Sequence, residues 1–148
     1  MRALLQRTTG AEVRVDGEVV GAIGAGLVIL LGVGPDDSEA IGRDLVRKIA
    51  ELRIFRDEDG RANRSLLDIA GEALVISQFT LYADTRRGRR PGFTAGAAPE
   101  LAERLYLAVA EAFCGLGVTV ATGRFGAEMA VSLVNDGPFT IWLDTAER

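Results

Sequence analysis

The segment Leu27-Val28-Ile29-Leu30-Leu31 lies between Gly24 and Gly26 on one side and Gly32 and Gly34 on the other, and it limits the fold more than any other stretch. An apolar run this short falls well below the roughly 20 residues of a membrane span. It is also short for a helix, so residues 27–33 are expected to form a strand buried on both faces. A helix should follow. Asp37 or Ser38 can cap it, and Ile41, Leu45, Ile49 and Leu52 recur at spacings of three and four, so one face should lie on a sheet.

The rest of the chain supplies partners for that strand. Residues 2–8 and 11–15 have strand-like patterns, and Asp16-Gly17 before Glu18-Val19-Val20 signals a tight hairpin. Ala73–Tyr82 reads as a second core strand whose far end is where chemistry would sit. Between them, Asp57-Glu58-Asp59-Gly60 is a turn and the stretch through Arg64 an exposed connection. Pro99 opens a second helix with Leu101, Leu105, Val109 and Phe113 on one face, stopped by Gly115 and Gly117; Cys114, on the same pattern, is expected in the core. Strands are expected at 118–122, 129–134 and 139–143. The order β-β-β-α-β-α-β-β-β predicts an α/β fold in β/β/α layers, two sheets plus helices. With 148 residues and 48% hydrophobic content, the chain is expected to form one domain over 1–148.

Composition narrows the chemistry. The sequence has no histidine, so neither a Ser-His-Asp nor a Cys-His nucleophile is available, nor a metal site built on imidazole. Cys114 is the single cysteine, which excludes an internal disulfide. Asp36-Asp37 and Asp57-Glu58-Asp59 sit at a helix start and a turn, where acidic residues are expected anyway, so no metal site is assigned. Gly32-Val33-Gly34 lacks the third glycine of a dinucleotide fingerprint and no phosphate loop is present, so no cofactor is expected. Arg2 and Arg7 flank a short apolar stretch that polar residues and glycine interrupt at once, so a secretory signal is not expected and cytoplasmic residence is.

The net charge of −4 argues against a general nucleic-acid binder. Any RNA contact must be local. Arg86, Arg87, Arg89 and Arg90, broken only by Gly88, form the one candidate RNA contact, with a solvated loop as the alternative. Ser77-Gln78-Phe79-Thr80 interrupts an apolar strand with polar side chains, which fits a pocket or a strand with one wet face. Gly137-Pro138 joins a turn glycine to proline just before a strand; most such pairs are trans turns, but X-Pro is the bond that takes the cis form at modest cost.

Together these segments resemble the D-aminoacyl-tRNA deacylase family. The resemblance runs through Ser77-Gln78-Phe79-Thr80-Leu81, Gly123-Arg124-Phe125-Gly126-Ala127-Glu128-Met129 and Asn135-Asp136-Gly137-Pro138, with Gln6-Arg7 and Arg90-Pro91 as flanks, and covers essentially the whole chain. It implies a deacylase-type fold and a homodimer in which a cis Gly137-Pro138 unit from one subunit enters the other's pocket. The carbonyls of that unit would exclude an L side chain, while D-aminoacyl and glycyl esters of tRNA would enter. It further implies catalytic roles for Ser77, Gln78, Phe79 and Thr80. Backbone N–H groups of Phe79 and Thr80 would serve the oxyanion, and the tRNA terminal 2′-hydroxyl would assist an attacking water. Met129 would wall the pocket, and Arg7 and Asn135 would accompany Gly137 and Pro138 in binding substrate. The family usually has Val after the proline where this chain has Phe139, which leaves substrate range open. Two other readings stay open: an editing domain acting on L-aminoacyl-tRNA, and a non-catalytic dimer that binds small ligands or RNA.

Overall fold

The computed structural model describes residues 1–147; position 148, within the expected domain, lies outside the described residues. The elements are β1 (Arg2–Val15), β2 (Glu18–Ile23), β3 (Gly26–Gly32), α1 (Glu39–Glu51), β4 (Phe55–Arg56), β5 (Ala62–Arg64), β6 (Glu72–Ser77), a short 3-10 turn (Phe79–Tyr82), α2 (Pro99–Gly115), β7 (Thr119–Thr122) and β8 (Ala130–Asp144). β3 is the buried strand its composition demands. It pairs antiparallel with β1 and parallel with β6, and Leu27, Ile29 and Leu31 face one apolar cluster while Val28 and Leu30 face another. Alternation along a strand makes this possible only because both faces are covered.

The helices cover the first face. Ser38, not Asp37, caps α1, its hydroxyl accepting the Ile41 N–H at 3.3 Å. α1 turns Leu45, Val46 and Ile49 inward, and α2 contributes Leu105, Tyr106, Val109 and Phe113. Cys114 is exposed, against expectation. A step of one residue rotates a helix by about 100°. It therefore carries Cys114 off the face that Phe113 buries.

The second face is closed by the sheet itself. β1 carries two residues, Thr9 and Gly10, opposite the single Val134 of β8, because Thr8 pairs with Asn135 and Ala11 with Leu133. An extra residue in one strand reverses which side its neighbours face and bends the strand. Ala3 and Leu5 accordingly belong to the helix-facing core, whereas Ala11 and Val13, of the same parity, belong to the other. The bend brings β2 round to β7. A Cβ on Gly21 would stand 2.4 Å from the Thr122 carbonyl oxygen, so glycine is what permits that approach. The expected pair of stacked sheets is thus replaced by one six-stranded mixed sheet, ordered β2-β1-β3-β6-β7 with β8 on β1, that curls almost closed.

Three further expectations change. Residues 62–64 are not plain connection: β4 and β5 form a small antiparallel ribbon, whose turn is tied by the Asp57 carboxylate accepting the Asp59 and Arg61 N–H groups, each at 2.9 Å. The strand expected over 73–82 stops at Ser77, which pairs with Leu31 near the end of β3; beyond it no partner continues, and the chain turns into Phe79–Tyr82. The strands expected at 129–134 and 139–143 are one long strand, β8, with a protrusion in it. Asn135 lies opposite Thr8 and Thr140 opposite Gln6, so residues 136–139 all stand against Arg7.

Candidate active site

A cleft of about 710 Å³ opens where β3 and β6 end. Crevices at the carboxyl ends of parallel strands are common ligand sites. Ser77, Gln78 and Phe79 form one wall, Phe125, Glu128 and Met129 another, and Phe93 with the start of α2 a third. Phe79 and Phe93 meet edge-on at 5.2 Å between ring centres, although Phe79 is 61% exposed. A large ring left so open at the mouth of a cleft is poised to meet a ligand or another surface.

Phe79–Tyr82 is positioned from both ends. The Gln78 N–H donates to the Leu31 carbonyl at 2.7 Å, completing the sheet ladder, and Arg2 donates from Nη1 to the Leu81 carbonyl at 2.9 Å. The first N–H groups of a helical turn have no acceptor within it. Here those are Phe79 and Thr80, beside the cleft. The Thr80 hydroxyl accepts from the Gln78 amide, and Thr80 is absent from the cleft wall. Tyr82, at the end of the turn, has its phenol pushed up to about 12 by burial and then by the nearby Asp37 carboxylate.

Arg7, Asn135, Gly137 and Pro138 gather elsewhere, at the protrusion of β8. Gly137-Pro138 is cis, with Gly137 at φ +131°, and both residues are exposed. Neither lines the cleft of its own chain. Arg7, only 4% exposed, donates from Nε to the Asp136 carbonyl at 3.1 Å and from Nη1 to the Ile54 carbonyl, and its guanidinium lies 4.7 Å from the centre of the Phe139 ring. A buried guanidinium needs acceptors for its fixed fork of donors, and Asp136 of this loop and Ile54 ahead of β4 supply them. Asn135 closes the loop: its Oδ1 accepts the Phe139 N–H at 2.9 Å and its Nδ2 donates to Thr140 Oγ1 at 2.9 Å.

The four arginines are not equivalent. They project from a loop pinched by the Asp84–Gly92 bridge, next to Phe93 of the cleft. Arg86 is paired within that loop, Nε and Nη2 meeting Asp84 at 2.9 and 2.7 Å. These bonds hold the Asp84 carboxyl far below the usual carboxylate range and raise the Arg86 guanidinium. Arg87, Arg89 and Arg90 are exposed.

Sequence reasoning left out Phe125 and Glu128 as cleft residues, though both stand in the segment leading to Met129. It also left out Arg56, whose contact with the β8 loop spans 80 residues of chain. Among the described residues no group of three or more His, Cys, Asp or Glu side chains converges as metal ligands would, and no helix is long and apolar enough to cross a membrane.

The apolar cleft, beside main-chain donors and in a chain without histidine, offers a substrate position and backbone N–H groups but no imidazole base. The family model described as D-Tyr-tRNA(Tyr) deacylase matches residues 4–144. The chain belongs to that family, whose members are hydrolases acting on the ester bond of aminoacyl-tRNA. It is 65% identical over 146 residues to the D-aminoacyl-tRNA deacylase of Roseiflexus sp. (strain RS-1), covering 99% of this chain and 94% of that protein. It is 60% identical over 144 residues to the protein of that name from Dinoroseobacter shibae, covering 97% and 99%. A solved structure titled c-Myc DNA Unwinding Element Binding Protein is similar with a TM-score of 0.91 and 39% identity, over 97% of this chain and 98% of that one. A second, titled as a probable eukaryotic D-amino acid tRNA deacylase, has a TM-score of 0.83 at 18% identity over 96% and 97%, a likeness of fold.

Proposed function

We propose that this chain, acting as one domain over its whole length in the cytoplasm, hydrolyses the ester of D-aminoacyl-tRNA and of glycyl-tRNA and spares L-aminoacyl-tRNA. It works as a homodimer. The Asn135–Thr140 loop of each subunit enters the cleft of the other, where the Gly137 and Pro138 carbonyls crowd the substrate α-carbon on the side an L side chain would occupy. A rigid backbone can reject one enantiomer by clash without reading the identity of the side chain, so broad amino-acid range follows, glycine included.

The observation that carries this reading is the separation of the two loci: the Gly137-Pro138 unit is exposed, held by a buried arginine, and outside the cleft of its own chain. Such a loop is built to meet another surface. Within the cleft, Phe79 and Met129 wall the aminoacyl group and Gln78 holds its end. The Phe79 and Thr80 N–H groups stabilise the tetrahedral oxyanion as water attacks the ester carbonyl. The proton is managed by the terminal 2′-hydroxyl of the tRNA, because a threonine nucleophile needs an activating base and the chain has no histidine. Arg87, Arg89 and Arg90 face the tRNA backbone.

The test is the rate on D-tyrosyl-tRNA against L-tyrosyl-tRNA, with glycyl-tRNA alongside. Rapid hydrolysis of the D and glycyl esters is expected; equal rates on the D and L esters, or none on either, would overturn the proposal. Sedimentation of the purified protein as a monomer at assay concentration would overturn the shared site.

A further inference from the structure

The small ribbon of β4 and β5 reaches the β8 loop with two groups that the reaction as described does not use. The Ile54 carbonyl, just before β4, accepts from Arg7 Nη1. Arg56, in β4, places Nη1 at 2.9 and 3.1 Å from the two carboxylate oxygens of Asp136. The same carboxylate meets Arg7 Nε at 3.2 Å. Asp136 therefore sits between two guanidiniums, one buried and one half-exposed, immediately before Gly137.

The ribbon is stiff enough to act as a support. Asp57 ties its turn, Arg53 Nε donates to the Asn63 carbonyl at 2.8 Å, and the Asp57 N–H donates to the Arg61 carbonyl at 2.8 Å. The loop's other face is fixed by Asn135 bonding Phe139 N–H, and by the Phe139 ring under Arg7. Arg7 of β1 touches the residue on each side of Gly137-Pro138, and Arg56 adds a tether from Asp136 to β4.

We propose that Arg56 is a positioning residue: through Asp136 it holds the Gly137-Pro138 unit at the height that sets how strictly L-aminoacyl esters are refused. This rests on the function proposed above. Arg56 acts through the loop and touches no reacting atom. An ion pair of this exposure is worth about a two- to five-fold change in an equilibrium, so the effect should be of that size.

The experiment measures kcat/KM on D- and L-tyrosyl-tRNA, and the hydrogen-exchange rate of the Phe139 amide, for wild type, Arg56→Ala, Arg56→Lys, Asp136→Asn and the Arg56→Ala/Asp136→Asn double variant. For Arg56→Ala, the D-over-L ratio should fall about two- to five-fold, through a faster L reaction, and Phe139 exchange should quicken by a similar factor. Lysine should restore most of both, and Arg56→Ala should add nothing once Asp136 is Asn. An unchanged ratio in Arg56→Ala, or an equal fall in the Asp136→Asn background, would overturn the proposal. If the wild type itself showed no preference for the D ester, the deacylase reading would fail, and Phe139 exchange would still decide whether Arg56 steadies the loop.

Discussion

Replacing Gly137 by alanine tests whether the β8 loop is as tightly held as its contacts imply. The added Cβ would lie 2.9 Å from Arg7 Nη2, 3.2 Å from the Phe139 nitrogen and 3.4 Å from the Phe139 Cβ. Gly137 also sits at φ +131°, a region that costs a residue with a side chain about 1–3 kcal/mol. The guanidinium tip must withdraw as well, and Arg7 is buried, so stretching a charge-assisted bond adds about 1.5–3 kcal/mol. Together the penalty is about 2.5–6 kcal/mol if the loop keeps its place. With a urea dependence of about 2 kcal/mol per M, the middle of the range for a small protein, the unfolding midpoint should drop by about 1–3 M. Wild type and variant must be compared at equal protein concentration, because association contributes to apparent stability. Should the loop instead move to relieve the contact, the midpoint will fall less and L-tyrosyl-tRNA will be hydrolysed faster relative to the D ester. A midpoint within about 0.3 M of wild type, together with an unaltered D-over-L ratio, would refute the account of Gly137 and Arg7.

Thr80→Ala should keep the greater part of the rate on D-tyrosyl-tRNA, because the backbone N–H survives and the hydroxyl has no base to activate it; complete loss with an intact circular dichroism spectrum would restore a threonine nucleophile. Changing Arg87, Arg89 and Arg90 to Ser should weaken tRNA binding and flatten its salt dependence, measured by filter binding between 50 and 200 mM salt as about the range where such contacts are titrated out. Changing Arg86 alone should do less, since Asp84 already occupies it. Tyr82 has its phenol raised from 10.0 to about 12 in the fold, so it contributes stability that is complete below about pH 10 and is lost as pH rises towards 12. Tyr82→Phe should flatten the loss of stability over that window in urea titrations, partly, because burial raises Tyr106 in the same direction.

Much of the frame was legible because it follows from periodicity. β3, α1 and α2 each carry an apolar pattern that only one secondary structure satisfies, and they appear where the pattern puts them. What escaped was set by partners far along the chain. Residues 79–82 read as a continuing strand, yet the strand beside them ends at Gly32, and a strand without a neighbour has nowhere to place its donors. β4 and β5 are two and three residues long and too short to show any period. The residues of the cleft were legible as motif, whereas their division into two loci came only from the family resemblance and not from residue pattern, because the register of β8 against β1 decides it.

That register also explains why Arg7 has to be an arginine. Four residues of β8 bulge out opposite one residue of β1, and the Asp136 carbonyl in that bulge is met by Arg7, as is the Ile54 carbonyl ahead of β4. Buried acceptors of this kind cost about 1–3 kcal/mol each when unpaired. A side chain that fills the gap must carry several donors in a fixed plane, reach across a bulge, and present a flat face to Phe139. Guanidinium does all three; an ammonium offers neither the plane nor the fork. The same group that satisfies the carbonyls from within therefore also holds the exposed side of the loop in register. Under the function proposed above, chirality discrimination rests on the backbone of this loop, and Arg7 is the buried cation that steadies it from within.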